Sequence, residues 1–255
     1  MINIYMVTYH RLDNLKKCLS SIMEMTKMPF KLFIFDNNSP QDVKDYLENF
    51  SCWINHDDSI NKAKYQCKGM SLILSEDNIG KASGMNCLHS FFSKRNECDY
   101  IVNIDSDIVI NTIGWESIFI NFLESNSNYG IIAPNYVDNG FNPIPPQYRS
   151  LWRCNILNVG GMAGGLLMLP RRVFSLTNGY SDLYIYGGDD SGLQRDVENL
   201  GLRWCYNSDV LVTHLGDNDQ EYINWKFQMI DNIHSNKIDR GIGVSMYNTG
   251  FYDEK

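Results

Sequence analysis

The chain has 255 residues with 44% hydrophobic and 13% aromatic content, the make-up of a globular protein long enough for a large core and not of a disordered one. A net charge of −8, a pI near 5.1 and scattered Lys and Arg exclude the basic stripe that nucleic acid or anionic lipid would need. Seven cysteines without regular spacing predict thiols in a reducing compartment, and the lack of a signal-like start or of a long apolar run predicts a cytoplasmic protein with no transmembrane segment.

Residues 2–9, INIYMVTY, read as a first strand. Leu12, Leu15, Leu19 and Ile22 then recur at helical spacing and predict an amphipathic helix to about Met25. Residues 30–36, FKLFIFD, predict a second strand running into the loop DNNSP, and 42–50 fit a helix. The polar stretch 51–69 has no clear pattern. A third strand, 70–77, is followed in NIGKASGMNCLHSFF by a loop and a helix whose Met85, Leu88 and Phe92 face inward. The next run, DYIVNIDSDIVI, is apolar enough for a strand buried on both faces. The helix after it puts Trp115, Ile118, Phe119, Phe122 and Leu123 on one side. Strand 130–137 leads to a Pro-rich, aromatic loop over 138–155, and GGMAGGLLMLPRRVF reads as a strand closely approached at its glycines. A helix over 191–200 closed by Gly201, a late strand ending at His214 and a mixed tail from 217 complete the chain. This alternation predicts an α/β fold, a parallel sheet with helices on both faces.

In such sheets ligands bind beyond the carboxyl ends of the strands, where Asp36, Asn78, Asp105 and Asp107 all fall. Two carboxylates at the end of a core strand repel each other and are costly to desolvate. At i and i+2 of an extended segment they point the same way, which suits a divalent cation better than a turn; a solvated strand-end pair is the plain alternative. Calcium-loop spacing fails, although Glu116 is twelfth from Asp105, because Val109 and Ile110 stand where a polar ligand and a glycine are required. What remains is Mg²⁺ or Mn²⁺ on one or two carboxylates, completed by substrate phosphates. NIGKASG and GGMAGG miss the dinucleotide-binding spacing, no P-loop occurs, and no local Ser-His-Asp or Cys-His signature stands out. In YGGDDSG, Asp190 or Ser191 caps the following helix, or Asp190 is a carboxylate free to act as a general base. His214, ending an apolar strand, is a core histidine or a ligand.

VTYHRLDNLKKCLSSI, Asp36-Asn37-Asn38-Ser39, NIGKASGMN, Asp105-Ser106-Asp107 and NGYSDLYIYGGDDSG, five motifs in this order, together resemble those of the GT-A-fold nucleotide-sugar glycosyltransferases of the large family 2 type. VTYHRLDNLKKCLSSI resembles that family's opening V-T-Y-N-R…L…L-x-S-I, with His10 where Asn is usual, and Asp36-Asn37-Asn38-Ser39 resembles its D-N-x-S. Asn78, Gly80, Gly84 and Asn86 match its N-x-G-x-x-x-G-x-N, and Asp105 and Asp107 match its D-x-D. NGYSDLYIYGGDDSGLQRDVENLG resembles a block of beta-1,4-galactosyltransferases and related polymerases, with Asp189 in place of Glu and Gly192 where an acidic residue is common.

The resemblance covers about 8–216 and implies a single GT-A domain over 1–216, with a Rossmann-like, mostly parallel sheet and an extension over 217–255 packed on it. The activity it implies is that of a metal-dependent hexosyl- or pentosyltransferase, moving a sugar from a UDP-linked donor to an acceptor hydroxyl with inversion. Asp107 and His214 would hold Mn²⁺ or Mg²⁺, and Asp105 would reach the metal through water or else the ribose. Donor binding would fall to Thr8, Tyr9, Arg11, Asp36, Asn78, Gly80, Lys81, Asp105, Ser106 and Gly161. Asp190 would be the base, with Asp189 beside it at the acceptor. The loop 138–155, with Tyr148, Trp152 and Arg153, is expected to close over the donor. The acceptor is a hydroxyl on a glycan, a lipid-linked sugar, a protein or a modified nucleic-acid base. A nucleotidyltransferase would need a Gly-rich basic loop after the first strand, which TYHRLDN does not supply, and a catalytically idle sugar-binding subunit would bind a donor without turnover.

Overall fold

The computed structural model describes residues 1–56, 65–92, 98–137, 164–181 and 189–215, with the side chain of Asp189 excepted. Gly161, the 138–155 loop and the 217–255 extension lie outside the described residues.

Strands β1 (Ile2–Thr8) and β2 (Phe30–Asp36) are almost wholly buried and pair in parallel, from Ile2 opposite Phe30 to Thr8 opposite Asp36. Strand β3 (Cys67–Leu74) extends β2 and β4 (Tyr100–Ile104) extends β1, both in parallel. Helix α1 (Leu12–Met25) buries Leu15, Cys18, Leu19 and Ile22, a single stripe at helical spacing. Helix α2 (Gln41–His56) buries Val43, Leu47 and Ile54, so the patternless stretch after 50 begins as the last turns of a helix. The steps β1 to β2 to β3 run one way across the sheet, so right-handed crossovers put α1 and α2 on one face. The step from β3 to β4 runs back past β1, which sends α3 (Lys81–Phe92) to the other face. The packing agrees. A Cβ on Gly84 of α3 would meet the side chains of Val7 and Phe35 at 3.0 Å, and the His89 ring lies 4.2 Å from that of Tyr5. The change of direction between β1 and β4 opens a crevice beyond their carboxyl ends.

The full order is β3-β2-β1-β4-β7-β6-β8-β5. Strand β7 (Leu166–Pro170) lies antiparallel between β4 and β6 (Tyr129–Tyr136), which places its amino end beside their carboxyl ends. Strand β8 (Arg203–His214) runs parallel to β6, and the short edge strand β5 (Ile108–Ile110) is antiparallel to β8. Helix α4 (Trp115–Ser125) buries Trp115, Phe119 and Leu123, and its wholly buried Glu116 accepts the backbone N–H groups of Lys27 and Met28 at 2.8 Å each. A short α5 (Arg171–Phe174) follows β7. Helix α6 (Asp189–Asn199) stops at Gly201, whose φ of 75° suits a glycine.

Contrary to the extended segment expected from the sequence, Asp105 and Asp107 sit in a turn: β4 stops at Ile104, and the N–H of Ile108 donates to the carbonyl of Asp105 at 3.2 Å, closing it. The two carboxylates therefore go to different partners. Among the described residues no helix is long and apolar enough to cross a membrane.

Candidate active site

Asp107 is buried in the turn between β4 and β5. Arg11 Nη1 lies 3.1 Å from its Oδ2 and His214 Nε2 lies 3.4 Å from its Oδ1. His214 arrives as the last residue of β8, directly opposite Ile108. Arg11 arrives by an unusual bend: His10 and Arg11 have φ of 59° and 57°, two consecutive non-glycine residues in the left-handed region just before α1. Leu215 ties the end of β8 to the same turn, its N–H donating to the Asp107 carbonyl at 2.8 Å. Burial pushes the Asp107 carboxyl upward, but the His214 hydrogen bond and charge, with Arg11 and Lys81 behind them, outweigh it and hold the group below its ordinary range. Among the described residues no cluster of three His, Cys, Asp or Glu side chains could hold a metal ion.

Lys81 is the first residue of α3, and its Nζ lies 2.9 Å from Asp105 Oδ1 and 3.7 Å from Asp190 Oδ1. The loop that delivers it is tightly held. Asn37 Nδ2 donates to Asn78 Oδ1 at 2.6 Å, the N–H of Ile79 donates to Asn37 Oδ1 at 2.8 Å, and Gly80 turns at φ 87°. Asn78 and Gly80 thus shape the loop that brings in the lysine. Asp190 is the second residue of α6, inside its first turn, where the helix dipole favours a carboxylate. Its carboxylate packs on Gly164 so closely that a Cβ there would overlap it. The glycine-rich approach expected from GGMAGG is therefore made, at Gly164, by the candidate base. Next to it, Gly165 accepts the N–H of Asp105 at 2.8 Å, and a Cβ at Gly165 would meet the Tyr136 hydroxyl at 2.8 Å. Burial keeps that hydroxyl protonated, well above the ordinary tyrosine range, with Tyr206, Asp105 and Asp190 adding to the effect.

At the adjoining strand ends, Thr8 and Asp36 are neighbours in register and both are buried. Asp36 Oδ2 accepts the N–H of Ser39 at 3.0 Å. Its Oδ1 and Thr8 Oγ1 have no hydrogen-bond partner among the described residues, an uncommon state for buried polar atoms. The Tyr9 ring meets His10 edge-on at 4.1 Å, and Ser106 lies partly exposed in the turn. Three groups of expected residues thus come together at one edge of the sheet: Arg11, Asp107 and His214; Lys81, Asp105 and Asp190; Thr8 and Asp36. Sequence reasoning missed Tyr136 and Cys18, whose thiol donates to the Asp105 carbonyl at 3.5 Å, because in a wholly buried strand or stripe nothing marks one residue as facing a site.

The chain resembles known proteins both in sequence profile and in fold. The family profile described as Glycosyl transferase family 2 matches residues 3–176. No curated protein sequence matches the chain. Among solved structures, the chain resembles the mannosyltransferase PcManGT from Pyrobaculum calidifontis in complex with GDP-Man and Mn²⁺, with a TM-score of 0.66 and 15% identity over 93% of this chain and 64% of that one. It also resembles GalNAc-T7 with UDP, GalNAc and Mn²⁺, at a TM-score of 0.61 and 13% identity over 84% of this chain and 43% of that one. S. aureus TarS 1-349 in complex with UDP-GlcNAc gives a TM-score of 0.61 and 14% identity over 83% of this chain and 58% of that one. The chain spans less than two thirds of the length of each of these three. With its profile matched over more than half its length and its sheet that of the GT-A fold, this chain belongs to glycosyl transferase family 2.

Proposed function

We propose that the chain is a metal-assisted transferase that moves a hexose or pentose from a UDP-linked donor to an acceptor hydroxyl with inversion. The observation that carries this reading is Lys81 standing between Asp105 and Asp190, which joins a donor-side carboxylate to a candidate base across the crevice at the switch point. The buried, unpartnered Asp36 Oδ1 and Thr8 Oγ1 are suited to hydrogen bonds from a nucleobase or ribose. Arg11 and Lys81 are placed to pair with diphosphate oxygens, and Tyr9 borders the same edge. Asp107 and His214 offer one carboxylate and one imidazole, a set too small for a closed protein cage. It fits Mn²⁺ or Mg²⁺ that shares its remaining positions with phosphate and water, and Asp105 lies within the same turn. Held there by Asp107 and His214, the cation would supply Lewis-acid chemistry to the diphosphate leaving group. The three structural neighbours carry nucleotides or nucleotide-sugars, two of them with Mn²⁺, which supports the donor class.

On this reading Asp190 removes the proton from the acceptor hydroxyl as that oxygen bonds the anomeric carbon, while the bond from that carbon to the diphosphate oxygen breaks on the opposite side. The carboxylate packs against Gly164, and Lys81 Nζ lies 3.7 Å from its Oδ1, on the side of Asp105. On the same reading residues 1–216 are the catalytic domain, in a cytoplasmic protein. The acceptor belongs to a glycan, a lipid-linked sugar, a protein or a modified nucleic-acid base. A panel of nucleotide-sugars, scored for hydrolysis and for transfer, tests the reading, with Asp190→Asn as the control. Transfer should fall by roughly 10²- to 10⁴-fold while UDP affinity holds, and an unaffected variant would remove Asp190 from the chemistry.

A further inference from the structure

Both carboxylates of the turn after β4 are already engaged by cations of the chain itself. Lys81 Nζ is 2.9 Å from Asp105, and Arg11 Nη1 is 3.1 Å from Asp107. These four side chains are only 12–28% exposed, so their pairing is screened less than that of a surface salt bridge. A divalent cation that uses those oxygens must therefore compete with an ammonium and a guanidinium. We propose that Arg11 and Lys81 are exchangeable counter-cations, each leaving its aspartate for the donor's diphosphate when a divalent cation takes the carboxylates, so that metal and nucleotide bind well only together. This rests on the donor and metal reading given above.

The charge balance of the site leads to the same place. Among the described residues, Asp105, Asp107 and Asp190 face Arg11 and Lys81, three carboxylates against two cations, with His214 beside Asp107. A divalent cation alone would add two positive charges and displace Arg11 and Lys81 from the aspartates they now pair with. A doubly negative diphosphate diester alone would add two negative charges beside three carboxylates. Arriving together they restore the starting charge. The released guanidinium and ammonium then find phosphate oxygens, the partners best matched to a planar fork and a point charge. The geometry permits the move. Arg11 extends from the residue before α1 and Lys81 from the first turn of α3, both anchored at the rim of the crevice. Lys81 also reaches towards Asp190 at 3.7 Å, so its release from Asp105 changes what holds the candidate base.

Calorimetric titration of Mn²⁺ into the whole protein, with and without saturating UDP, tests this on wild type, Lys81→Met and Arg11→Met, with melting temperature as the check on folding. In wild type, UDP should tighten Mn²⁺ binding by about 5- to 150-fold. Without UDP, each variant should bind Mn²⁺ more tightly than wild type, by roughly 3- to 10-fold, because a competitor has been removed, and its coupling to UDP should shrink by a similar factor. Should Lys81→Met melt early, Lys81→Gln provides the same comparison. Variants that bind Mn²⁺ alone no better than wild type, with normal UDP coupling, would overturn the exchange and leave the metal and donor reading standing. If wild type binds neither Mn²⁺ nor UDP in any combination, both fall together.

Discussion

Gly164→Ala should disable transfer by moving a group it never reacts with. The added Cβ would occupy space now filled by the Asp190 carboxylate, closer than any real contact, so the carboxylate has to shift. Displacement by about 1 Å of a positioned catalytic group costs on the order of 10²-fold in rate, or about 2.7 kcal/mol of barrier. The backbone should accept alanine, because Gly164 is not among the glycines with positive φ. Stability should therefore change little, as should UDP affinity, since the proposed reading gives Asp190 to the acceptor and not to the nucleotide. Transfer rates of Gly164→Ala, Asp190→Asn and the double variant complete a cycle. If the methyl group acts through the base, it should be nearly silent once Asp190 is asparagine and its basicity is gone. A loss of the same factor in both backgrounds would show that Gly164 acts on something other than Asp190, and the assigned contact would be irrelevant to turnover.

Asp107→Ala, or EDTA with the native chain, should abolish transfer while the circular dichroism spectrum stays native; full activity in EDTA would rule out metal assistance. Asp36→Ala should raise the donor KM more than it lowers kcat, the signature of lost ground-state binding, whereas an unchanged KM would make Asp36 a turn-former for Ser39. His89 is buried among Tyr5, Phe174 and Asn103, and burial lowers its pKa from 6.5 to about 4 despite the Asn103 hydrogen bond. The unfolded chain takes up a proton at His89 below pH 6.5 that the folded chain refuses until about pH 4, so stability falls across that window as the pH drops. The full loss is about 3 kcal/mol, and urea unfolding of His89→Gln between pH 7 and pH 4 should lack that component. An equal pH slope in both proteins would refute it.

How much of this could be read beforehand depended on how far each signal reaches along the chain. The stripe Leu15, Leu19, Ile22 and the buried run of β2 are local patterns, and those elements fell where periodicity puts them. Direction within a sheet is not a local property. LLMLP in β7 is buried on both faces whichever way it runs, so nothing in it announced the antiparallel insertion between β4 and β6. The Asp-Ser-Asp segment misled for a related reason: flanked by Ile and Val it looks extended, yet the chain must turn there to leave β4 and reach β8 as β5. The chemistry-bearing residues were visible by type and order, but not their partners. Arg11 and Asp107 are 96 positions apart, and the contact between Gly164 and Asp190 depends on α6 returning over the amino end of β7. Only the packed sheet brings such pairs together.

The reversed direction of β7 also divides the labour of the chain. Because β6 runs towards the crevice and β7 runs away from it, the connection between them both departs from and returns to the ligand edge, at Val137 and Gly164. Such a connection can be lengthened, shortened or exchanged without altering the register of any strand. Val137 and Gly164 thereby stand as two fixed anchor points at the edge of the sheet that holds Asp105, Asp107 and Asp190.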